Sequence, residues 1–452
     1  MNLRKAIVLA AGQGKRMKSA HSKVMHPILF EPMIGHVVRE LEAVNTSIIE
    51  VIVGHKKEEI LSYFKDRVYS AVQEPQLGTG HALMCSHQLK DEKGLVLVTY
   101  GDVPCVTKET FNEVFTKAEE VDALIVSARL HDAGAYGRIL RDKQGLVKGI
   151  VEAKDATQEQ LKINEINTGI ICFDQQKLFK HIKELKNTNA QAEYYLTDMI
   201  EIFVSYGYKV DAMVIDNIDE VMGVNDRVQL AQATKIIQKR INEFWMHEGV
   251  SIVDPENTWI DAKSTFATDC VVEPGATIIN SILSDHVHIQ GASYIENANI
   301  GANTHINQAK VIDSNIGSDT EVGPFAHLRG HCEIGNHCRI GNFVEMKKTQ
   351  FGNNSKCAHL TYLGDAIVGE NVNIGCGVVT VNYDGKKKFV TVIRDGAFIG
   401  SNANLIAPVT IGKNALVAAG STLTYDVEDQ AMGIARARQV NKPSKGQAYK
   451  DK

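Results

Sequence analysis

The chain is 452 residues long, more than a single hydrophobic core usually supports, so we expect two or more domains. Apolar residues make up 44%, charged residues 23%, and the formal net charge is −5, which argues against a general nucleic-acid or membrane binder. The eight cysteines form no CxxC pair, no apolar run approaches the roughly 20 residues that span a bilayer, and the chain begins on a strand-like run, so we expect a cytoplasmic protein without membrane insertion.

Up to about residue 225, apolar runs alternate with helical patterns. The runs that indicate buried strands are residues 6–10, 48–54, 94–102 and 122–128. Residues 33–44 and 108–119 carry the 3.6-residue period of amphipathic helices. Residues 1–225 are therefore predicted to form an α/β domain with a Rossmann-like, mostly parallel sheet, in which ligands lie outside the carboxyl ends of the strands.

The segment "LAAGQGKRM", residues 9–17, directly follows the first predicted strand. Glycines between a strand and a basic cluster indicate that the backbone approaches a phosphate. The segment is neither a P-loop nor a dinucleotide-binding fingerprint, because Met17 stands where the third glycine would be. Arg16 and Lys23 offer cations, and Asp102 at a strand end is a candidate Mg2+ ligand. From these residues alone, an ordinary strand-to-helix turn and a turn-forming aspartate stay open.

Residues 226–249 give one long helical pattern that stops at Gly249, and we predict a helical linker arm there. The residues expected on its apolar side are Val228, Ala231, Ile236, Ile237, Ile241 and Phe244.

After about residue 250 the apolar period changes to six. The clearest run is Ile316, Val322, Leu328, Ile334, Ile340 and Met346. Helices repeat near 3.6 residues and strands near 2, whereas hexapeptide coils of a β-helix repeat at six. The resemblance to hexapeptide-repeat proteins implies a left-handed parallel β-helix over residues 250–452, with a basic C-terminal tail and assembly as a homotrimer. A break in register predicts that residues 381–395 form a loop leaving the coil.

Polar and bulky residues interrupt the hexapeptide pattern in residues 341–348, 358–365 and 376–385. A β-helix core needs no histidine, so His359 is a candidate general base for acyl transfer to an amine. The dipeptide His-Cys occurs twice, with Cys332 and Cys338 six residues apart. This spacing equals the hexapeptide period, so it favours inward packing of the cysteines over a zinc site.

The residues 9–17 resemble the L-A-A-G-x-G-[ST]-R-M signature of sugar-1-phosphate nucleotidylyltransferases, with Lys15 and Ser22 as departures from the usual Thr and Pro. Further motifs follow in order: "QLGTGHA" (76–82), "YGDVP" (100–104), "YGRI" (136–139), "VEAKDA" (151–156), "INTGI" (166–170) and "GVNDR" (223–227). Together with the hexapeptide half, they resemble the bifunctional bacterial GlmU family over essentially the whole chain. The resemblance implies acetyl transfer from acetyl-CoA to glucosamine-1-phosphate, followed by uridylyl transfer from UTP to N-acetylglucosamine-1-phosphate with release of pyrophosphate.

For uridylyl transfer, the resemblance implies Arg16 and Lys23 as catalytic cations and Asp102 and Asn225 as Mg2+ ligands. It also implies the following contacts to UTP and the sugar nucleotide: Leu9, Ala10, Ala11, Gly12, Lys23, Gln73, Gly78, Thr79, Tyr100, Gly101, Asp102, Gly137, Glu152, Asn167 and Asn225.

For acetyl transfer, the resemblance implies His359 as the base, Glu345 as the residue that orients the base and the amine, and Tyr383 as a stabiliser of the tetrahedral intermediate. The implied contacts to glucosamine-1-phosphate are Arg329, Lys347, Tyr362 and Asn373. Those to acetyl-CoA are Asn382, Tyr383, Lys388, Ser401, Ala419 and Arg436.

Two other functions stay open at this point. One is a single-activity sugar-1-phosphate nucleotidylyltransferase whose β-helix is structural or regulatory, against which His359 and Lys347 count. The other is a non-catalytic interaction platform similar to translation exchange-factor subunits, against which Arg16, Lys23 and Asp102 count.

Overall fold

The structure is a computed structural model that describes residues 3–89 and 93–450. The chain divides into two compact units, Met1–Ile237 and Gln238–Lys452. The boundary between the two units falls inside the predicted linker at 226–249. The exact domain limits, at residues 225 and 250, stay predictions.

The first unit is an α/β domain. Its strands are β1 Arg4–Ala10, β2 Pro27–Ile28, β3 Glu31–Pro32, β4 Ile48–Val53, β5 Tyr69–Val72, β6 Leu95–Tyr100, β7 Ala123–Arg129, β8 Arg138–Arg141, β9 Val147–Val151, β10 Glu165–Asp174 and β11 Val210–Ile215. Its α-helices are α1 Met33–Ala43, α2 Lys57–Phe64, α3 Thr79–Met84, α4 Lys108–Ala118, α5 Gln175–His181 and α6 Asp198–Ser205. Short 3-10 helices in the chain span Lys15–Met17, Lys23–Met25, Gln160–Lys162, Ile182–Glu184, Ile218–Val221 and Pro255–Asn257.

The central sheet runs in the order β11-β7-β10-β6-β1-β4-β5, and only β10 in this row is antiparallel to its neighbours among the described residues. Strand β1 is buried along residues 5–10, as expected for a central strand covered on both faces. Leu9 pairs with Tyr100, and Gly101 N donates a hydrogen bond of 2.9 Å to Leu9 O. The segments that follow β1 and β6 therefore lie side by side at one edge of the sheet, as the sequence predicts.

The long helix α7, Arg227–His247, confirms the predicted helical pattern, and Ile237 of the expected apolar side is buried, but other residues expected on that side are not. Val228 and Phe244 are exposed, at 69% and 54%. Instead, Gln238 and Asn242 are buried, and their side-chain amides donate hydrogen bonds of 2.7 and 3.0 Å to the carbonyl of Thr258. These amides satisfy a backbone acceptor on an early turn of the β-helix, a requirement that apolar periodicity does not reveal.

The second unit is a parallel β-helix. One ladder contains β14 Thr265–Phe266, β17 Ile282–Leu283, β20 Asn299–Ile300, β23 Asn315–Ile316, β26 Glu333–Ile334, β28 Gln350–Phe351, β30 Ala366–Val368, β33 Thr391–Ile393 and β36 Val409–Ile411. The other strands are β12 Ser251–Ile252, β13 Trp259–Ile260, β15 Val271–Val272, β16 Thr277–Ile279, β18 His288–Gln290, β19 Tyr294–Glu296, β21 His305–Asn307, β22 Lys310–Ile312, β24 Glu321–Val322, β25 His327–Arg329, β27 Arg339–Lys347, β29 Lys356–Gly364, β31 Asn373–Ile374, β32 Val379–Val381, β34 Phe398–Ile399, β35 Asn404–Ile406, β37 Leu416–Val417, β38 Thr422–Leu423 and β39 Met432–Gly433. Helix α8, Lys445–Lys450, follows.

Residues one coil apart stack in register, as in the pair Leu328 and Met346, which are both fully buried. The apolar residues with a period of six thus form the interior of the coil, with small residues such as Ala326 between them. Cys332 and Cys338 are buried in this interior, as predicted from their spacing.

The loop predicted at residues 381–395 is shorter in the structure. Residues 382–390 leave the coil, but β33 returns to it, with Ala366 paired to Thr391. The apolar pattern did not reveal where the chain returns to the coil. The inward residues of β33 are Thr391 and Ile393, and they continue the pattern in a different register.

Within the part of the chain that the structure describes, no helix combines the length and apolar character that a membrane crossing requires.

Two candidate active sites

A cavity of about 430 Å³ opens at the carboxyl ends of β1 and β6. Predicted nucleotide contacts among its lining residues are Leu9, Ala10, Ala11, Gly12, Lys23, Gln73, Gly78, Thr79, Tyr100 and Asp102. Sequence reasoning did not assign the other lining residues to the ligand: Gln13, Gly14, Lys15, Val24, Gln76, Ala82 and Glu193. Most of these lie within the quoted motifs, but Glu193 follows a polar stretch that carries no motif signal.

At the mouth of this cavity, three predicted residues from distant parts of the chain meet. The ammonium of Lys23 forms an ion pair with Asp102 and donates a hydrogen bond of 3.0 Å to Asn225 Oδ1. The backbone of Val224 also donates 2.8 Å to the carbonyl of Asp102, so the two acceptor-bearing segments are joined directly. The oxygens of Asp102 and Asn225 therefore converge on one cation.

Gly14 shapes the loop beside Lys23. Its φ is +59°, in the left-handed region, and a Cβ at this position would lie 2.5 Å from Lys23 Cβ. Only glycine meets both constraints without moving the lysine. The glycine of the motif is thus explained by close packing of the Lys23 side chain as well as by access of a ligand to the backbone.

A network of amides holds the opposite wall of the cavity. Gln73 Nε2 donates 2.9 Å to Gly78 O, and Gln76 Nε2 donates 2.6 Å to Ala11 O. The hydroxyl of Thr79 accepts 3.0 Å from the backbone of Leu196. The predicted uridine contacts are therefore tied to one another and to the loop after β1.

A second group of predicted residues surrounds Glu152. Gly137 lies directly against the Glu152 carboxylate, the backbone of Asn167 donates 2.9 Å to Gly137 O, and Thr197 Oγ1 donates 3.1 Å to Glu152 Oε1. Burial raises the pKa of Glu152, an effect that the Thr197 hydrogen bond partly opposes. The pKa of Tyr100 is raised by burial first, then by the negative charges of Glu152 and Asp102. Tyr100 lines the cavity, so it connects the group around Glu152 to the cavity.

Arg16 is exposed and does not line the first cavity. It lines a neighbouring cavity of about 330 Å³ together with Lys15, Lys23 and Asn225. Lys15, which stands where the signature usually has Thr, lines both cavities.

On the β-helix, Arg329 and Lys347 pair on neighbouring coils, and Lys388, in the loop at residues 382–390, lies close to Lys347. Arg329 Nε donates 3.0 Å to Glu345 Oε1. The charge of Lys388, followed by that of Arg329, lowers the pKa of Lys347. Two cations close enough to lower the pKa of a third, with the Glu345 carboxylate beside them, form a site suited to a dianionic group such as a phosphate.

His359 stands one coil beyond Asn342 in the ladder of β27 and β29, and its side chain is exposed. Among the described residues, no hydrogen bond joins its ring to Glu345. The Glu345 carboxylate pairs with Arg329 instead, so its predicted role in orienting the base stays a prediction.

The predicted residues after β32 are organised by the loop that leaves the coil. The side-chain amide of Asn382 donates a hydrogen bond to the Asp365 carboxylate. The backbone carbonyl of Asn382 accepts a hydrogen bond of 2.9 Å from Phe389 N, which closes the loop. Tyr383 is exposed at 56%, and its hydroxyl donates 2.7 Å to Gly385 O. A Cβ on Gly364 would clash with Tyr362 and Asn382, so these predicted ligands of two substrates lie close together.

The remaining predicted residues extend along the coil. Asn373 lies in β31, Ser401 and Ala419 are exposed on successive coils, and the exposed Arg436 lies beyond β39. The described contacts do not gather Arg436 with the other predicted residues of this chain.

Comparison with known proteins gives two matching family descriptions. The MobA-like NTP transferase domain matches residues 6–191, and the bacterial transferase hexapeptide (six repeats) matches residues 313–348 and 391–424. The chain is 47% identical to the bifunctional protein GlmU of Halalkalibacterium halodurans, with 98% of each chain covered. It is 48% identical to that of Bacillus subtilis, with 98% of each covered, and 48% identical to that of Exiguobacterium sibiricum, with 97% of this chain and 98% of the relative covered.

The fold and the sites define a transferase with two functions. The α/β unit carries the nucleotidyltransferase cavity, and the hexapeptide β-helix carries the cationic site. The chain is an enzyme that combines a nucleotidyltransferase with a hexapeptide-repeat acetyltransferase. It belongs to the GlmU family of bifunctional proteins.

Proposed function

We propose that the β-helix unit acetylates glucosamine-1-phosphate with acetyl-CoA and that the α/β unit then transfers a uridylyl group from UTP to the N-acetylglucosamine-1-phosphate, which gives UDP-N-acetylglucosamine and pyrophosphate. The observation that carries the first step is the proximity of three cations, Arg329, Lys347 and Lys388, in the unit that also carries the exposed His359. The observation that carries the second is the convergence of Lys23, Asp102 and Asn225 at the cavity mouth.

The residues at the cavity mouth fit a divalent cation. Carboxylate and amide oxygens are hard donors of the type that Mg2+ prefers, and those of Asp102 and Asn225 already converge on the positive charge of Lys23. We therefore propose that Asp102 and Asn225 hold Mg2+. When bound, the ion supplies positive charge next to the triphosphate.

In uridylyl transfer, a phosphate oxygen of the sugar phosphate attacks the α-phosphorus of UTP and pyrophosphate leaves. The reaction needs no protein nucleophile, because positioning and charge stabilisation carry phosphoryl-type transfer. Lys23 and Arg16 balance the charge that develops, and the amide network around Gln73 and Gly78 holds the nucleotide. Glu152 and Asn167 bind sugar hydroxyls.

In acetyl transfer, the neutral amine of glucosamine-1-phosphate attacks the thioester carbonyl, a C–N bond forms, the C–S bond to CoA breaks, and the nitrogen loses one proton. His359 takes that proton, and the proton passes to the departing CoA thiolate. Arg329 and Lys347 bind the sugar phosphate, which requires Arg329 to divide its donors between the phosphate and Glu345. Tyr383 stabilises the tetrahedral oxyanion.

We also propose that the chain acts as a homotrimer. Phe325 and Phe343 stack on successive coils with ring centroids 5.5 Å apart, and with Leu360 they are exposed at 54–60%. This apolar column adjoins His359, since Leu360 is its neighbour in sequence. An exposed apolar column of this kind supports a subunit interface that completes the site.

A cytoplasmic location completes the proposal. No two of the eight cysteines, all of which lie in the described ranges, are joined by a disulfide. Burial raises the pKa of Cys332, Cys338 and Cys357, as expected for structural thiols in a reducing compartment.

One incubation tests both steps. Purified protein with glucosamine-1-phosphate, acetyl-CoA, UTP and Mg2+ is expected to form UDP-N-acetylglucosamine, pyrophosphate and free CoA thiol in equal amounts. Without acetyl-CoA, UDP-N-acetylglucosamine should form only from supplied N-acetylglucosamine-1-phosphate. Formation of a UDP-sugar from glucosamine-1-phosphate without acetyl-CoA would contradict the proposed order.

A further inference from the structure

Asp102 and Asn225 meet at the cavity mouth although they belong to chain segments that are far apart in sequence. Asp102 follows β6, and Asn225 lies between the short helix at Ile218–Val221 and α7. A separation set by two loops would be loose, because loops are the more mobile parts of a domain. One backbone bond, from Val224 N to Asp102 O, joins the two segments directly, and a second contact between them lies outside the cavity.

Glu220 makes that contact. The residue is 9% exposed, and its Oε2 accepts three hydrogen bonds: from Thr107 N at 3.2 Å, Thr107 Oγ1 at 2.9 Å and Thr110 Oγ1 at 2.6 Å. Thr107 is the N-cap of α4, so the carboxylate also lies at the positive end of that helix. A buried carboxylate with this many donors is a specific tie between two segments.

The two segments that Glu220 joins are those that carry the cavity-mouth oxygens. Thr107 lies a few residues after Asp102, and Glu220 lies a few residues before Asn225. Val221 packs in the same apolar cluster as Val103, and Val224 N bonds to the carbonyl of Asp102. Three kinds of contact therefore connect the same two segments, in order towards Lys23: the Glu220 hydrogen bonds, the packing of Val221, and the Val224 backbone bond.

We propose that Glu220 is a positioning residue for the nucleotidyltransferase: it holds the Asn225 segment in register with the Asp102 segment and does not touch substrate. The proposal rests on the proposed function of the α/β unit. Misplacing a positioned group by about 1 Å can cost on the order of a hundredfold in rate, so even a small shift of this segment is measurable.

The test compares Glu220→Gln with Glu50→Gln. Glu50 is a matched control: it is fully buried in β4 of the same unit and accepts hydrogen bonds from Ser86 Oγ, His87 N and Gln88 N, but the segment it holds carries no predicted ligand. Thr110→Val removes one donor to Glu220 with little change of shape.

The first readout is binding of Mn2+ in the presence of UTP, followed by electron paramagnetic resonance. Glu220→Gln is expected to weaken Mn2+ binding and to lower kcat of uridylyl transfer, each on the order of tenfold, with KM for the sugar phosphate nearly unchanged. Thr110→Val should give a smaller loss in the same direction, and the double variant should be no worse than Glu220→Gln alone. Glu50→Gln should lower only the melting temperature.

Acetyl transfer by the same preparations serves as the internal control for folding of the chain and should stay at the wild-type level. The inference is overturned if Glu220→Gln binds Mn2+ as the wild type does, or if Glu50→Gln weakens binding equally. Failure of the proposed function is a separate result, because it would show as absence of UDP-N-acetylglucosamine from the wild-type enzyme, while the Mn2+ comparison still decides the role of Glu220.

Discussion

The two sites are assembled from the chain in different ways. In the α/β unit, the loops after β1 and β6 and the segment before α7 are brought to one sheet edge, and the residues enclose a cavity. In the β-helix, Arg329, Lys347 and His359 lie on neighbouring coils of one sheet, and His359 is exposed beside Leu360. The first architecture needs tertiary ties to hold its residues together. The second positions its residues by repetition of the coil, and in the proposed homotrimer a partner surface would cover the open, exposed face around Leu360 and exclude water.

The largest effect expected from this comparison is complete separation of the two activities. Asp102→Ala should abolish uridylyl transfer and leave acetyl transfer intact, because its contacts lie within the first unit. His359→Ala should do the reverse, with a loss of acetyl transfer on the order of 10²- to 10⁴-fold. Each activity is measured with its own supplied substrate. If His359→Ala retains acetyl transfer, the assignment of the base is wrong.

The second prediction concerns the open face. Phe343→Glu places a charge in the apolar column with Phe325 and Leu360, and we expect the trimer to dissociate and acetyl transfer to be lost, while uridylyl transfer continues. Size-exclusion chromatography with light scattering measures the assembly. Phe244→Glu, at a similarly exposed phenylalanine on α7, is the matched control and should leave the assembly unchanged. A Phe343→Glu variant that stays trimeric would refute the role of this column.

The same contrast explains what the sequence predicts well. A period of six identifies the β-helix and its inward residues, because every coil repeats the same constraint, as at Leu328 and Cys338. The strand-to-loop motifs likewise predict most of the cavity lining. These features depend on local order in the sequence.

Features that depend on contacts between distant segments were not predicted. Glu193 lines the cavity through a segment without a motif, and Glu220 ties two segments whose proximity only the fold reveals. The buried amides of Gln238 and Asn242 meet a carbonyl on an early β-helix turn, so the expected apolar face of α7 was partly wrong. In each case a polar side chain finds its partner through tertiary structure.

The third prediction concerns packing in the loop after β1. Gly14→Ala should destabilise the first unit by about 1–2 kcal/mol, because alanine resists the left-handed backbone, and should also displace Lys23 and slow uridylyl transfer. Gly12→Ala is the contrast, since no described atom beyond its neighbours lies within 4 Å of a Cβ at that position. It should leave the melting temperature unchanged and affect only nucleotide binding. Equal melting temperatures for both variants would contradict the close packing of Gly14 on Lys23.

The smallest expected effect lies in the cation cluster of the β-helix. The charge of Lys388 is the largest cause that lowers the pKa of Lys347, so the Lys347 ammonium loses its proton at a lower pH than an ordinary lysine. Affinity for a sugar phosphate that depends on this ammonium should therefore decline as the pH rises through the lowered pKa. Lys388→Gln removes the neighbouring charge, which should raise the pKa of Lys347 and move that decline to higher pH.

Carbon-13 resonances of the reductively methylated lysines report the pKa of Lys347 directly. Lys356 is an exposed lysine on the neighbouring coil, and Lys356→Gln should leave the pKa of Lys347 unchanged. A Lys347 pKa that does not move in Lys388→Gln would show that the two side chains act independently, and the phosphate site would then depend on Arg329 and Lys347 alone.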